Sequence, residues 1–199
     1  MSEFKSVVVV RQPVETLWTT VRDRLPELAP MIDDLESVAL REREALAPGE
    51  LRLVNEWRAK QRVPEPLRRA LRADAIGWID RNVWRDGERR CDWEIEPYVL
   101  ADRIRCEGCT LYEPALGGRG SRVTFEGRFE LAAGALAELA GPLERPLAAF
   151  VESIVTILIP RNLRKVLEAA GSLAVADPRA GSAEQQAVVE SKPRIGERR

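Results

Sequence analysis

In the stretch GWIDRNVWRDGERRCDWEIEP, residues 77 to 97, three tryptophans fall within sixteen positions, and the carboxylate of Asp80 and the amide of Asn82 alternate with Trp78 and Trp84. Residues two apart on an extended strand share a face, so this spacing sets an acid, an amide and two indoles on one surface. Such a surface could hold an apolar molecule against the rings and orient it through a few hydrogen bonds, or let Asp80 exchange a proton with it. The chain has no histidine. That removes Ser-His-Asp and Cys-His catalysis, His-ligated zinc and imidazole acid-base work. Any catalyst here must use carboxylates, tyrosine, lysine or a bound cofactor, and no motif calls for a cofactor.

Asp86-Gly87 is a strong hairpin signal, since both residue types tolerate the positive φ of a two-residue turn. A two-residue loop would pair Trp84 with Arg89, Asn82 with Cys91, Asp80 with Trp93 and Trp78 with Ile95. The opposite face would then carry Arg81 with Asp92 and Arg85 with Glu88, pairs that mark it as the wet side. The tryptophan face therefore points inward. Extending the same parity to neighbouring strands adds Asn55 and Trp57, then Ile104, Cys106, Thr110 and Tyr112, then Phe125 and Phe129. Unpaired amides and carboxylates are costly in a packed interior, so Asp80 and Asn82 either pair internally or face a cavity. A merely well-packed sheet is the competing reading, because tryptophans on strands are more often core than ligand contacts.

The elements that must position this surface follow from periodicity. EFKSVVVVR (3–11) is β-branched and stops at Pro13, and Val14, Leu17, Trp18, Val21 and Leu25 then recur at helical spacing until Pro26 and Pro30 break the pattern into a short second helical turn or a loop. Strands are predicted over 35–46, 50–60, 75–85, 89–96, 103–112 and 122–131, the last alternating Val123, Phe125, Gly127, Phe129 and Leu131 against charged partners. A long helix follows, with a stripe of Leu143, Leu147, Phe150, Val151, Ile154, Ile157 and Leu158. Pro160 should kink or end it, after which Leu163, Val166, Leu167 and Ala170 resume in altered phase up to a glycine cap at Gly171. Arg145, Glu152 and Thr156 fall on the side away from the sheet, so the helix brings no carboxylate inward, and Arg161 beside the break is a candidate anion partner at a pocket mouth. Residues 1–175 read as one domain and 176–199 as a disordered tail.

The totals agree with one core: 199 residues, 45% hydrophobic and 32% charged. Lysine and arginine number 31 against 32 acidic residues, so no overall field gathers nucleic acid, and none is expected as a partner. The most apolar stretch, residues 147–159, is shorter than the roughly 20 residues a bilayer requires. No signal-peptide pattern opens the chain, and three cysteines cannot form a fully paired framework, which together predict a cytoplasmic protein.

Other constellations carry less. Cys106 and Cys109 spell C-x-x-C inside a strand, where positions three apart face opposite sides, so neither metal nor redox chemistry is expected. LGGRGS (116–121) joins two strands and lacks the helix start of a phosphate loop. LRRALR (67–72) is a short basic helical face that could touch a membrane surface transiently, a solvated face being its ordinary role.

The order strand, helix, short helix, a long antiparallel run and one long final helix resembles the helix-grip fold of the START-like (SRPBCC) superfamily. The resemblance covers residues 3 to about 172 and rests on EFKSVVVVRQPVETLW, RVTFEGRFEL and LERPLAAFVESIVTILIPRNLRKVLEAAG. NEWRAKQRVPEPLRRAL before a tryptophan-bearing hairpin is also similar, more faintly, to PRELI-like phospholipid-transfer domains. The superfamily implies an α+β fold, a curved sheet of six to seven strands wrapped round the last helix, and an apolar cavity between them. It brings no universal catalytic residue. The expected activity is binding or transport of a hydrophobic small molecule or lipid without chemical change, at Asn55, Trp57, Trp78, Asp80, Asn82, Trp84, Trp93, Thr110, Tyr112, Phe125, Phe129, Phe150 and Ile154. The competing readings are a polyketide cyclase or aromatase, with Asp80 and Tyr112 or Asn82 acting on the substrate, and an interaction module using the same groove.

Overall fold

A computed structural model describes residues 2–65, 68, 75–132 and 144–176. Seven strands form one antiparallel sheet: β1 (Ser2–Val10), β2 (Leu35–Ala47), β3 (Glu50–Arg62), β4 (Ala75–Arg85), β5 (Arg90–Pro97), β6 (Ile104–Ala115) and β7 (Gly120–Leu131). Their spatial order is β1-β7-β6-β5-β4-β3-β2. Six consecutive strands thus make a meander, and β1 joins its far end beside β7. The helices are α1 (Val14–Leu28), α2 (Glu144–Ser153) and α3 (Ile159–Ala176). This is the helix-grip architecture anticipated from the sequence.

Helix α1 passes through Pro26 where the sequence suggested a break. Arg24 leaves helical geometry (φ −123°, ψ 19°) and absorbs the proline, and a 3-10 turn at Ala29–Met31 supplies the short second helix. Leu17, Trp18, Val21, Leu25 and Leu28 are buried, as the spacing requires.

The final helix keeps going where Pro160 predicts a kink. Proline has no N–H for the carbonyl four residues back, and the chain widens just before it into a π-helical turn at Ile154–Leu158. The phase shift turns Ile157 out of the predicted stripe to 61% exposure, while Leu147, Val151 and Leu158 stay buried. Gly171 is not a cap either, since α3 runs on to Ala176. It lets the helix press on the first strand: a Cβ there would lie 3.2 Å from Val10 Cγ1, and Gln12 Nε2 donates to the Gly171 carbonyl at 3.1 Å. Ala176, where the tail was predicted to start, still belongs to α3; residues 177–199, and most of the basic patch at 67–72, lie outside the described residues.

The β4–β5 hairpin departs from the two-residue turn. Arg85 pairs with Arg90, so the loop is the four residues 86 to 89, and the register becomes Trp84 with Cys91, Asn82 with Trp93, Asp80 with Ile95 and Trp78 with Pro97. Arg89, not Gly87, adopts positive φ (48°). Asp86 is held by tertiary contacts: Trp18 Nε1 donates to its carboxylate at 2.8 Å and Arg22 at 2.6 Å. A shift of two residues preserves parity, so every side chain keeps its predicted face. The outer charge pairs re-form one step along, Arg81 with Glu96 at 2.5 Å and Arg85 with Asp92.

Candidate binding cavity

Alternation along β4 sends Trp78, Asp80, Asn82 and Trp84 toward the helices. Asp80 pairs with Asn55 of β3 on one side and Ile95 of β5 on the other, which gathers the polar groups into one row across the sheet. Beside that row, Gly108 and Gly127 pair with each other across β6 and β7. A Cβ on either would come within 2.5 Å of the Trp93 indole. The two glycines therefore form a notch in which Trp93 lies, stacked on Phe125 at 4.6 Å between ring centroids and on Phe4 at 6.1 Å. Trp57 stacks on Trp78 at 5.6 Å, and Trp18 of α1 meets Trp84 and Tyr112 edge-on at 4.8 and 5.1 Å.

The rings of Trp57, Trp78, Trp84, Trp93, Tyr112 and Phe125 line a cavity of about 80 Å³ between the sheet, α1 and α3. Of the predicted residues, Trp57, Trp78, Asp80, Asn82, Trp84, Trp93, Thr110, Tyr112 and Phe125 line it. Phe150 and Ile154 line a second cavity of about 30 Å³, and Trp78, Ile95 and Ile159 form the wall common to both. Asn55 and Phe129 are buried but line neither cavity. Val21 and Leu25 of α1, and Ile159, Asn162, Leu163 and Val166 of α3, close the first cavity.

Asn162 is the site residue that sequence reasoning missed. The signal was present: Ile159, Asn162, Leu163 and Val166 share one helical stripe, so an amide stood in a position the periodicity reserves for apolar side chains. Arg161, considered for the pocket mouth, is instead exposed and pairs with Asp34 at 3.2 Å, alongside Lys165 at 2.6 Å.

Asp80 accepts from Asn82 Nδ2 at 3.0 Å and from Trp57 Nε1 at 3.2 Å, both on Oδ2. It lies beneath the sheet's surface yet keeps some accessible area, because it faces the cavity. Burial pushes its pKa up to about 6, against the pull of those two hydrogen bonds. Asn82 Oδ1 in turn accepts from Cys91 Sγ at 3.6 Å. Burial also raises the Cys91 thiol and the Tyr112 phenol well above their ordinary values, and pushes Cys106 up to about 12. Cys106 and Cys109 face opposite sides of β6, as expected, and all three cysteines are free. Among the described residues no group of acidic, cysteine or histidine side chains could hold a metal ion, and no helix is long and apolar enough to cross a membrane.

A larger open hollow of about 820 Å³ lies on the outer face of the sheet. Its walls are crossed by solvent-facing ion pairs, Lys5 with Glu126 at 2.9 Å and Arg90 with Asp92 at 2.7 Å, rather than by converging apolar groups. Size alone favours it. Composition favours the inner cavity, where aromatic walls enclose a few polar groups.

Fold and site together define a helix-grip protein with an aromatic, sparsely polar interior. Among solved structures, the chain is similar to TTHA0849 from Thermus thermophilus (TM-score 0.59, 21% identity, 88% of this chain and 98% of that one). It is similar to the Zhui aromatase/cyclase from Streptomyces sp. R1128 (0.57, 18%, 87% and 93%) and to Ara h 8.0201 (0.55, 15%, 88% and 99%). At these identities the likeness is one of fold. No family model matches the chain, and no curated protein matches it.

Proposed function

We propose that the chain binds a hydrophobic small molecule or lipid between the sheet and α3. The observation that carries this reading is the cavity itself, whose walls combine four tryptophans with Asp80, Asn82 and Asn162. Its closed volume of about 80 Å³ is well below the roughly 300–1,000 Å³ of a ligand-filled site. Binding therefore requires α3 to move away from the sheet, and displacing the Trp78–Ile159 wall would join the two cavities. Similarity of fold to an aromatase/cyclase agrees with an interior that accepts a polyketide-like molecule. Native mass spectrometry of the purified protein tests it: a co-purifying or added apolar adduct of small-molecule mass supports binding, and a protein that takes up none argues against it.

Asp80 favours a second reading, an aromatase/cyclase-like enzyme. A carboxyl group with a pKa of about 6 inside a cavity can take a proton from a carbon beside a carbonyl and return one to the oxygen formed as a ring closes. Turnover of a polyketide-like substrate should then fall at least about a hundredfold in Asp80→Asn, and unchanged turnover would remove Asp80 from the chemistry. Use of the groove by a partner helix is supported less, because α3 already fills it.

A further inference from the structure

We propose that the cavity selects an uncharged, planar molecule rich in oxygen acceptors, and that Asn162 reads its polar edge. This deepens the binding reading and rests on it. Asn162 is only 2% exposed, lines the cavity from α3, and has no protein partner for either Nδ2 or Oδ1. Trp84 and Trp93 line the same cavity from the sheet, and their indole N–H groups are also buried without a protein partner. Of the other indoles, Trp57 on the same cavity donates to Asp80 and Trp18 to Asp86, while Asn55 Nδ2, which lines neither cavity, is also unpaired. Buried donors left unpaired are costly and rare in native proteins, so three of them around one cavity describe the complement of what enters it. They call for carbonyl or ether oxygens, while Asn162 Oδ1 can accept from a single hydroxyl or N–H.

Charge narrows the class further. Among the described residues no lysine or arginine lines the cavity. The basic side chains of α3 and α1 flanking it, Arg161, Lys165 and Arg22, are drawn outward to Asp34 and Asp86. A carboxylate or phosphate would enter beside Asp80 with no cation to offset its desolvation. Fatty acids and phospholipids, the second of which a PRELI-like resemblance would imply, are therefore poor ligands, and neutral aromatic carbonyl compounds are good ones.

Three probes of similar size separate the possibilities by titration calorimetry: chromone (neutral, two oxygen acceptors), naphthalene (apolar) and 2-naphthoate (anionic). Chromone should bind at least about tenfold more tightly than either of the others, a ratio that one or two paired donors supply. Asn162→Leu and Trp84→Phe should each weaken chromone about tenfold more than they weaken naphthalene. Trp84→Phe removes the N–H together with one ring of the indole, so naphthalene reads the lost packing and the loss confined to chromone reads the donor, even if Asn162→Leu folds poorly. If 2-naphthoate binds as tightly as chromone, or chromone is indifferent to both substitutions while naphthalene still binds, the polarity inference is overturned and the binding reading survives. Binding of none of the three overturns both.

Discussion

Asn82 donates its side-chain amide to the Asp80 carboxylate at 3.0 Å, and the two residues lie two apart on one strand, on the face that looks into the cavity. The contact makes Asp80 and Asn82 a unit. The amide keeps a buried acid partly compensated, yet burial still prevails and the carboxyl holds its proton up to about pH 6.

That balance has a sign in the stability curve. The folded-state pKa of Asp80 is raised, so its favourable contribution is complete below the unfolded value near 3.8 and is lost as the pH rises through about 6. A displacement of that size corresponds to on the order of 3 kcal/mol. Urea unfolding of wild type and Asp80→Asn between pH 4 and pH 8 should show the wild type losing about that much relative to the variant. Parallel curves would mean that Asp80 is not held as described.

The glycine notch gives a packing test. A Cβ at Gly127 would lie 2.4 Å from Trp93 Cη2 and 2.7 Å from the Glu107 carbonyl. Gly127→Ala should cost about 1–3 kcal/mol, the usual cost of overpacking. Gly87→Ala is the control, because nothing lies within 4 Å of a Cβ there. Equal effects in thermal unfolding would contradict the notch.

Asp86 anchors α1 to the sheet through Trp18, which is 1% exposed. Asp86→Ala leaves that indole N–H unpaired and should destabilise the fold by about 1–3 kcal/mol. An Asp86→Ala protein as stable as wild type would assign the loop's conformation to its backbone alone.

On the outer face, Tyr98, Arg41 and Arg58 all donate to Glu56, and these hydrogen bonds, the tyrosine's first, hold its carboxyl down at about 2. Its stabilising contribution is present above the ordinary pKa near 4.5 and lost as the pH falls through about 2. Tyr98→Phe should raise the Glu56 pKa toward the ordinary range in a side-chain carboxyl NMR titration. No change would remove the phenol from the cluster.

The sheet was legible because alternation is a two-valued signal. Trp78, Asp80, Asn82 and Trp84 could only share a face, and an error of two residues in the hairpin left that face intact. The error came from Asp86, a residue whose turn propensity is overruled by contacts from α1 that no local pattern displays. The final helix was legible in outline and wrong in detail for a related reason. Pro160 announces a disturbance, but whether the helix kinks or widens depends on how it packs against the sheet, and that choice turned Ile157 outward. Asn162 was overlooked because a single amide among apolar neighbours reads as an interruption of a stripe rather than as part of it.

Binding inside the cavity is the central claim, and the five indole N–H resonances test it most directly. Trp57, Trp78, Trp84 and Trp93 line the cavity, whereas Trp18 lies behind Trp84 with its N–H committed to Asp86. In a 15N-resolved NMR titration with chromone, the indole signals of Trp84 and Trp93 should shift most and that of Trp18 least. Shifts largest at Trp18, or five indole signals unmoved while chromone binds, would place the ligand elsewhere and contradict the account.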